Sequence, residues 1–204
     1  MPSSHLVRFG GVAAVLAGGL LVLAELLYLI IGLSPPSDSE HFTSFSYALQ
    51  VGLFLLGGLL LLGGLLGLYI NQSEAVGLLG LVGFAVALLG TGMVLGLFWD
   101  NAFTVPALAQ EAPSVLEAEP PASVNFGVTV SFVLFVLGWV LFGVAVFRAG
   151  VYPRTAAAIL AVGAALAAIP MPFSFILFGL AVAWLGFAVL TGGSTSRMRV
   201  DPPV

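Results

Sequence analysis

Glu25 is the carboxyl group that the sequence places deepest inside an apolar segment. Leucine, valine and alanine surround it, in the run Leu-Val-Leu-Ala-Glu-Leu-Leu. At the centre of a membrane helix a charged side chain costs about 2.5–3.5 kcal/mol, whereas each leucine contributes about −0.3 to −0.6 kcal/mol, so the helix still inserts. A carboxyl group held there can bind a proton or a cation, or it can join two helices through a hydrogen bond. Both interpretations stay open at this point.

Other polar side chains in the apolar segments lie toward the same side of the membrane as Glu25. Six residues are candidates for ligand binding: Glu25, Tyr28, Tyr47, Gln50, Thr91 and Ser131. The opposite halves of the segments consist almost entirely of Leu, Val, Ala, Gly and Phe. This distribution predicts a polar pocket that opens outward and is closed toward the cytoplasm. Its acidic rim favours a small cationic or amphipathic ligand.

Most reactive groups are missing from the chain. It has no cysteine, and all five of its basic residues are arginine, which excludes thiol chemistry and a lysine Schiff base. His5 and His41 fall on opposite sides of the predicted membrane, so they cannot share a metal or a haem. The sequence contains no HExxH motif and no pair of intramembrane aspartates. We therefore predict no enzymatic activity, no metal and no cofactor, and the scattered arginines form no nucleic-acid-binding face.

Transmembrane helices must position these groups. Of the 204 residues, 60% are hydrophobic and 7% are charged, and the mean hydropathy is +1.19, whereas a soluble domain has about 25% charged residues. The sequence therefore predicts an all-α, polytopic membrane protein in which residues 1–204 form a single domain, a compact bundle of six transmembrane helices. The apolar segments are residues 10–33, 44–70, 75–99, 124–147, 153–169 and 172–190.

The arginines set the orientation of these six segments. All of them fall on one side of the membrane, at Arg8, Arg148, Arg154, Arg197 and Arg199. Loops that carry arginine are retained in the cytoplasm, so both termini are predicted to be cytoplasmic and the five arginines to act as topology anchors. Residues 100–123 then form an outer loop that contains four prolines. It is either a solvated acidic connector or a loop that holds a short interfacial helix around Ala107–Glu111 or Ser114–Glu119. The predicted location is the inner (plasma) membrane.

In each of the first two segments, small residues and one larger polar residue recur every seven positions. The first has Gly11, Gly18, Glu25 and Gly32, and the second has Thr43, Gln50, Gly57 and Gly64. Small residues allow helix backbones to approach closely in a membrane, and a period of seven fits helices that cross at roughly +20°. Glu25 is therefore expected to face the bundle. The hairpin of the two segments places it level with Gly52 and Leu53, with Gln50 and Tyr28 as its nearest polar partners.

The loop between the fourth and fifth segments has the sequence Phe147-Arg148-Ala149-Gly150-Val151-Tyr152-Pro153-Arg154. Its glycine can end one helix in a left-handed conformation, and its proline can begin the next helix at the first position. This pattern resembles a turn of bacterial six-span membrane proteins that form a domain-of-unknown-function family. The resemblance implies a six-helix fold, and it implies no activity, substrate or catalytic residue.

We expect a non-catalytic integral membrane protein that acts as a binding or accessory component of the cell envelope. Its expected partners are membrane lipid, a small cationic or amphipathic ligand in the pocket around Glu25, and another protein within the membrane. The alternative is a small transporter that is coupled to protons through Glu25. A Glu25→Gln variant separates the two, because a transporter would lose flux whereas an accessory protein would keep its partners.

Overall fold

The computed structural model describes residues 2–32, 39–167 and 173–195, and all regular structure in these ranges is helical. The elements are α1 (Pro2–Gly32), a 3₁₀ helix (Ser39–Thr43), α2 (Phe45–Ile70), α3 (Ser73–Glu111), α4 (Pro113–Glu117), α5 (Ala122–Ala149), α6 (Arg154–Leu166) and α7 (Ser174–Thr195). Five helices, α1, α2, α3, α5 and α7, are long and apolar enough to cross a membrane, whereas α6 has 13 residues. The chain thus folds as an all-helical, multi-pass membrane protein.

The six longest helices form a closed ring in the order of the chain. α1 packs against α2, α2 against α3, α3 against α5, α5 against α6, and α6 against α7. α7 then packs extensively against α1, so that the last helix closes on the first. Each helix therefore lies between two neighbours, and its remaining face presents apolar side chains to the surroundings.

Glycine brings helix backbones into direct contact at the junctions of the ring. A methyl group at Gly64 of α2 would lie 2.9 Å from the Cα of Ala14 on α1. Between α3 and α5, a methyl group at Gly83 would lie 2.6 Å from the backbone nitrogen of Phe142. These separations leave no room for a side chain. Such close approach lets van der Waals packing hold helices together where lipid removes the hydrophobic effect between them.

Aromatic rings fill the centre of the bundle. Trp139 of α5 packs edge to face with Phe142, and its ring centroid lies 4.9 Å from that of Phe178 on α7. The Nε1–H of Trp139 donates a hydrogen bond of 3.0 Å to the Oγ1 of Thr91 on α3. The three rings are fully buried, so the polar edge of the indole is satisfied within the core.

α3 extends well beyond its apolar segment. The sequence predicts a helix over 75–99 and a loop over 100–123, but α3 continues to Glu111. These twelve added residues are helical, so the prediction of a solvated connector is wrong there, whereas the alternative of a helix around Ala107–Glu111 agrees with the end of α3. Pro106 lies inside α3, where it removes one backbone hydrogen bond without ending the helix. The alanines that surround this proline have high helix propensity and explain why the helix continues.

The other helix bounds differ from the predicted ones by smaller amounts. α1 begins at Pro2 rather than at residue 10, and α5 extends the predicted range by two residues at each end. α6 ends at Leu166, and residues 168 and 169 of its predicted segment lie outside the described residues. α7 begins at Ser174 rather than at 172. Gly150 ends α5 with a φ of 66°, which confirms the predicted left-handed helix end.

Charge distinguishes the two ends of the bundle. Arg8 near the start of α1, Arg148 in the last turn of α5 and Arg154 at the start of α6 lie at one end, the arginine end. A hydrogen bond of 2.9 Å from Asn71 Nδ2 to the Tyr152 hydroxyl joins the α2–α3 turn to the α5–α6 turn there. The other end, the acidic end, carries the exposed residues Asp100, Glu111, Glu117 and Glu119. The predicted anchors Arg197 and Arg199 lie outside the described residues.

Candidate binding site at the acidic end

Glu25 of α1 is buried, with 4% of its surface exposed, and its partner is the start of α7. Its Oε1 accepts a hydrogen bond of 2.9 Å from the backbone N–H of Phe173. The backbone N–H groups of Ser174 and Phe175 interact with the same carboxyl group. The first N–H groups of a helix have no partner within that helix, and a carboxylate stabilises them because they form the positive end of the helix dipole. Glu25 therefore caps α7 from a different helix.

Phe173 has a φ of 84°, in the left-handed region of backbone conformation. For a bulky residue this conformation is rare, and it costs of the order of 1–3 kcal/mol. Such strain persists only where the surrounding structure holds it, and the hydrogen bond to Glu25 is one such constraint. The carboxyl group thus fixes both the position of α7 and the unusual backbone that precedes it.

The seven-residue stripe on α1 lies against α7, and this decides the partner of Glu25. A methyl group at Gly11 would lie 3.0 Å from the Cδ2 of Leu190. One at Gly18 would overlap the backbone of Gly179. α2 packs against a neighbouring face of α1. The expectation that Glu25 pairs with a side chain on α2 or with Tyr28 is therefore wrong, because a periodic stripe identifies one face of a helix without identifying the helix packed on it.

Gln50 of α2 is buried, with 7% of its surface exposed, and its amide makes no hydrogen bond to any described residue. It lies seven residues before Gly57, where a methyl group would lie 3.3 Å from Leu21 on α1. The same antiparallel register places Gln50 beside Tyr28, about one turn beyond Glu25. In the described ranges, the fully buried side-chain polar atoms without a partner are those of Gln72 at the arginine end, so the amide of Gln50 keeps some accessible surface.

Tyr47 forms a structural link at the start of α2. It is buried, and its hydroxyl donates to the Oδ1 and the carbonyl oxygen of Asn101 on α3, at 3.1 and 3.2 Å. Its ring centroid lies 5.3 Å from that of His41 and 5.4 Å from that of Phe42, both in the 3₁₀ helix. The 3₁₀ helix and the extension of α3 therefore cover the first turn of α2. Asn101 was not foreseen as a partner, because the sequence places it in a loop.

The remaining predicted site residues take part in other contacts. Tyr28 is 48% exposed on the outside of α1. Thr91 accepts its hydrogen bond in the aromatic core, and Ser131 donates one of 2.7 Å to a carbonyl group one turn earlier in α5. Within the described ranges, no hydrogen bond joins any two of the six predicted residues. We take Glu25 and Gln50 as the candidate site, because both are buried on neighbouring helices and neither makes a hydrogen bond to another described side chain.

Sequence reasoning missed a buried polar cluster at the arginine end. Tyr152 accepts a hydrogen bond from Asn71 and donates one of 3.3 Å to the carbonyl oxygen of Leu68. Burial raises the pKa of Tyr152 to about 12, although the hydrogen bond from Asn71 acts in the opposite direction. Gln72, which follows Asn71 in the chain, is also buried. Neither the oxygen nor the nitrogen of its side-chain amide has a hydrogen-bond partner. The one signal in the sequence was a tyrosine placed between two apolar segments.

The candidate site combines one carboxyl group with one amide. No group of three His, Asp or Glu side chains that could hold a metal occurs in the described ranges. Comparison with protein-family models, curated proteins and solved structures finds no match. A carboxylate and an amide oxygen both accept hydrogen bonds, and those to a charged donor are the stronger kind.

Proposed function

We propose that the protein is a non-catalytic membrane protein that binds a small cationic or amphipathic ligand at the acidic end of its bundle, as a binding or accessory component of a bacterial cell envelope. The observation that carries this proposal is the burial of two polar residues, Glu25 and Gln50, at the same end of two neighbouring helices. Glu25 brings a carboxyl group into the bundle, and Gln50 adds an amide with no partner among the described residues. Both groups suit a ligand that donates N–H bonds.

In this proposal the arginine end faces the cytoplasm and the acidic end faces outward. Arginines next to membrane helices are retained in the cytoplasm, and the three described arginines share one end. With α6 counted as a sixth span, both termini lie in the cytoplasm and the protein resides in the inner (plasma) membrane. A six-helix architecture also agrees with the bacterial family that residues 147–154 resemble, and this relationship stays a prediction.

The charge distribution favours a cation over an anion. The exposed carboxyl groups at the acidic end belong to Asp100, Glu111, Glu117 and Glu119, and no described arginine lies at that end. Negative groups around a cleft with apolar walls concentrate cations by focusing the electric field. A cationic headgroup can exchange part of its water for the carboxylate of Glu25, whereas an anion meets only like charge.

Proton-coupled transport through Glu25 is the alternative, and it has weaker support. A transporter opens its site to both sides of the membrane in turn. On the arginine side of Glu25, the ring centroid of Phe54 lies 5.0 Å from that of Phe98 and 6.1 Å from that of Phe175. These aromatic side chains from α2, α3 and α7 pack together in the middle of the helix bundle. They offer no polar groups along which an ion or a polar solute could reach the cytoplasm.

Thermal unfolding of the purified protein in maltoside detergent tests the proposal. Added dodecylammonium is expected to raise the Tm of the wild-type protein, because a ligand that binds only the folded state stabilises it. The Glu25→Gln variant is expected to lose this rise, whereas Glu74→Gln, which changes an exposed carboxyl group at the arginine end, is expected to keep it. An unchanged rise in Glu25→Gln, or an equal rise with dodecyl sulfate, would contradict the proposal. Solute flux into proteoliposomes that depends on Glu25 would favour the transporter.

A further inference from the structure

Two arginines flank the tight turn between α5 and α6. Arg148 lies in the last turn of α5, and Arg154 is the first residue of α6. Gly150 ends α5 with a φ of 66°, and the hydroxyl of the buried Tyr152 is hydrogen-bonded to α2 and to Asn71. The turn is therefore fixed from the inside of the bundle, which keeps both arginines at the same end of the two helices.

Both guanidinium groups are available to a ligand. Arg148 and Arg154 are exposed, and neither forms an ion pair or a hydrogen bond with a described residue. Arg154 lies over the ring of Phe147, with its Cζ 5.9 Å from the ring centroid. This cation–π contact holds Arg154 toward the last turn of α5, where Arg148 lies. A guanidinium group has five N–H donors that match the oxygens of a phosphate group.

The start of α6 adds hydrogen-bond donors of its own. Its N-cap is Pro153, and no side chain caps the helix. The N–H groups of the first residues of a helix have no acceptor within it, and here they belong to Arg154, Thr155 and Ala156. Thr155 is exposed, and its hydroxyl has no partner among the described residues. These donors lie at the positive end of the helix dipole and add to the charge of the two arginines.

The outer faces of α5 and α6 are apolar up to these donors. On α5, the exposed Leu137 and Val144 lie eleven and four residues before Arg148, on the same side of the helix. On α6, the exposed Val162 lies seven residues after Thr155, again on the same side. Exposed apolar side chains of a membrane helix contact lipid acyl chains, which are as apolar as leucine. The two arginines therefore lie where lipid-facing surfaces of two helices end.

These two faces form one continuous surface, because α5 and α6 pack directly against each other. A methyl group at Gly143 would lie 3.0 Å from the Cβ of Ala161, so the two backbones approach closely within the hairpin. Residues 147–155 contain two arginines and no acidic residue. Glu74, the described carboxyl group at the arginine end, forms no ion pair with either arginine. A phospholipid has the same order of groups as this surface, with a charged phosphate at one end and apolar chains beyond it.

We propose that the outer surface of the α5–α6 hairpin binds an anionic phospholipid, such as phosphatidylglycerol, from the leaflet at the arginine end. The phosphate accepts hydrogen bonds from Arg148, from Arg154 and from the uncapped start of α6, while the acyl chains lie along the apolar faces of both helices. Two positive charges favour a headgroup with a net negative charge, because they repel the ammonium group of a zwitterionic lipid. This site lies at the opposite end from Glu25, so it does not depend on the proposed function.

Native mass spectrometry of the full-length protein in detergent tests this inference with three lipids of equal chain length. Phosphatidylglycerol is expected to bind about tenfold more tightly than phosphatidylcholine or phosphatidylethanolamine, a difference that occupancy at several lipid concentrations resolves. Arg148→Gln and Arg154→Gln are each expected to weaken its binding about fivefold, and the double variant is expected to lose the preference. Arg8→Gln, which removes an exposed arginine from the same end on α1, is the matched control and is expected to keep it. Circular dichroism checks that each variant is folded.

Three results would overturn the lipid site. The first is equal binding of the three lipids, and the second is an equal loss in Arg8→Gln, which would show an effect of overall charge rather than of a site. The third uses glycerol 3-phosphate, which has no acyl chains: if it competes as strongly as the lipid does, the anion comes from water and the apolar faces take no part. If the double variant does not fold, the two single variants decide the test. Stabilisation by dodecylammonium through Glu25 is unaffected by any of these results.

Discussion

The carboxyl group of Glu25 on α1 accepts a hydrogen bond of 2.9 Å from the backbone N–H of Phe173 at the start of α7. This bond joins the two helices that close the ring. One side chain therefore stabilises the fold and, in the proposed function, meets the ligand, so its two roles have to be measured separately.

Glu25→Leu is expected to lower the free energy of unfolding by about 1–3 kcal/mol, because it leaves the N–H groups at the start of α7 without an acceptor. Glu25→Gln retains an acceptor oxygen and is expected to lose less. Thermal unfolding in detergent measures both, with Glu74→Leu at an exposed position as the control. Equal stability of the Leu and Gln variants would show that the bond to Phe173 contributes little.

Gly83→Ala is expected to destabilise the protein by about 1–3 kcal/mol, because overpacking forces helices apart. The new methyl group would lie 2.6 Å from the backbone nitrogen of Phe142. Gly92→Ala on the same helix is the matched control, since a methyl group there meets nothing within 4 Å. It is expected to be neutral, or to stabilise α3 by up to about 1 kcal/mol. Equal Tm values for the two variants would show that the backbones of α3 and α5 leave room for a methyl group at Gly83.

Thr91→Val is expected to destabilise the core by about 1–3 kcal/mol, because it leaves the Nε1–H of Trp139 buried without an acceptor. Trp139→Phe is expected to destabilise it as well, through the cavity that it creates. In the double variant no donor is left unpaired, so the combined loss should be smaller than the sum of the single losses. Unfolding of the four proteins gives this coupling energy. Strictly additive losses would argue against the hydrogen bond.

Tyr152 is expected to make the stability of the protein depend on alkaline pH. Burial raises its pKa from an ordinary value of 10.0 to about 12. Between these values the folded protein keeps a proton that the unfolded chain releases, so the free energy of unfolding falls as the pH rises. The contribution is fully present below pH 10 and is lost above about pH 12. Tyr152→Phe has no such proton, and its Tm should fall less steeply over this interval. Parallel pH profiles for the two proteins would contradict the assignment.

Hydropathy predicted the apolar part of the helices well, because insertion into lipid requires long apolar stretches with all backbone groups paired. It did not predict residues 100–111, since a helix can leave the apolar layer and continue with polar residues. Hydropathy locates the boundary of lipid and carries no information on helicity beyond it.

The burial of Glu25 was predictable because an intramembrane carboxyl group avoids lipid, but its partner was not. Every residue except proline has a backbone N–H, so nothing in the sequence marks Phe173 as a donor. That pairing depends on the level of α7 against α1, which contacts such as Gly18 with Gly179 determine.

Closure of the ring by its first and last helices has a consequence for how the chain is made. At synthesis rates of about 5–20 residues per second, the stretch from Glu25 to Phe173 takes roughly 7–30 s to leave the ribosome. Throughout that time α1 has no α7 to cover Gly11 and Gly18, and Glu25 lacks the N–H groups that it later caps. Synthesis of this protein thus includes an interval in which Glu25 is already part of the first apolar helix while α7, which it caps in the folded protein, has not yet been made.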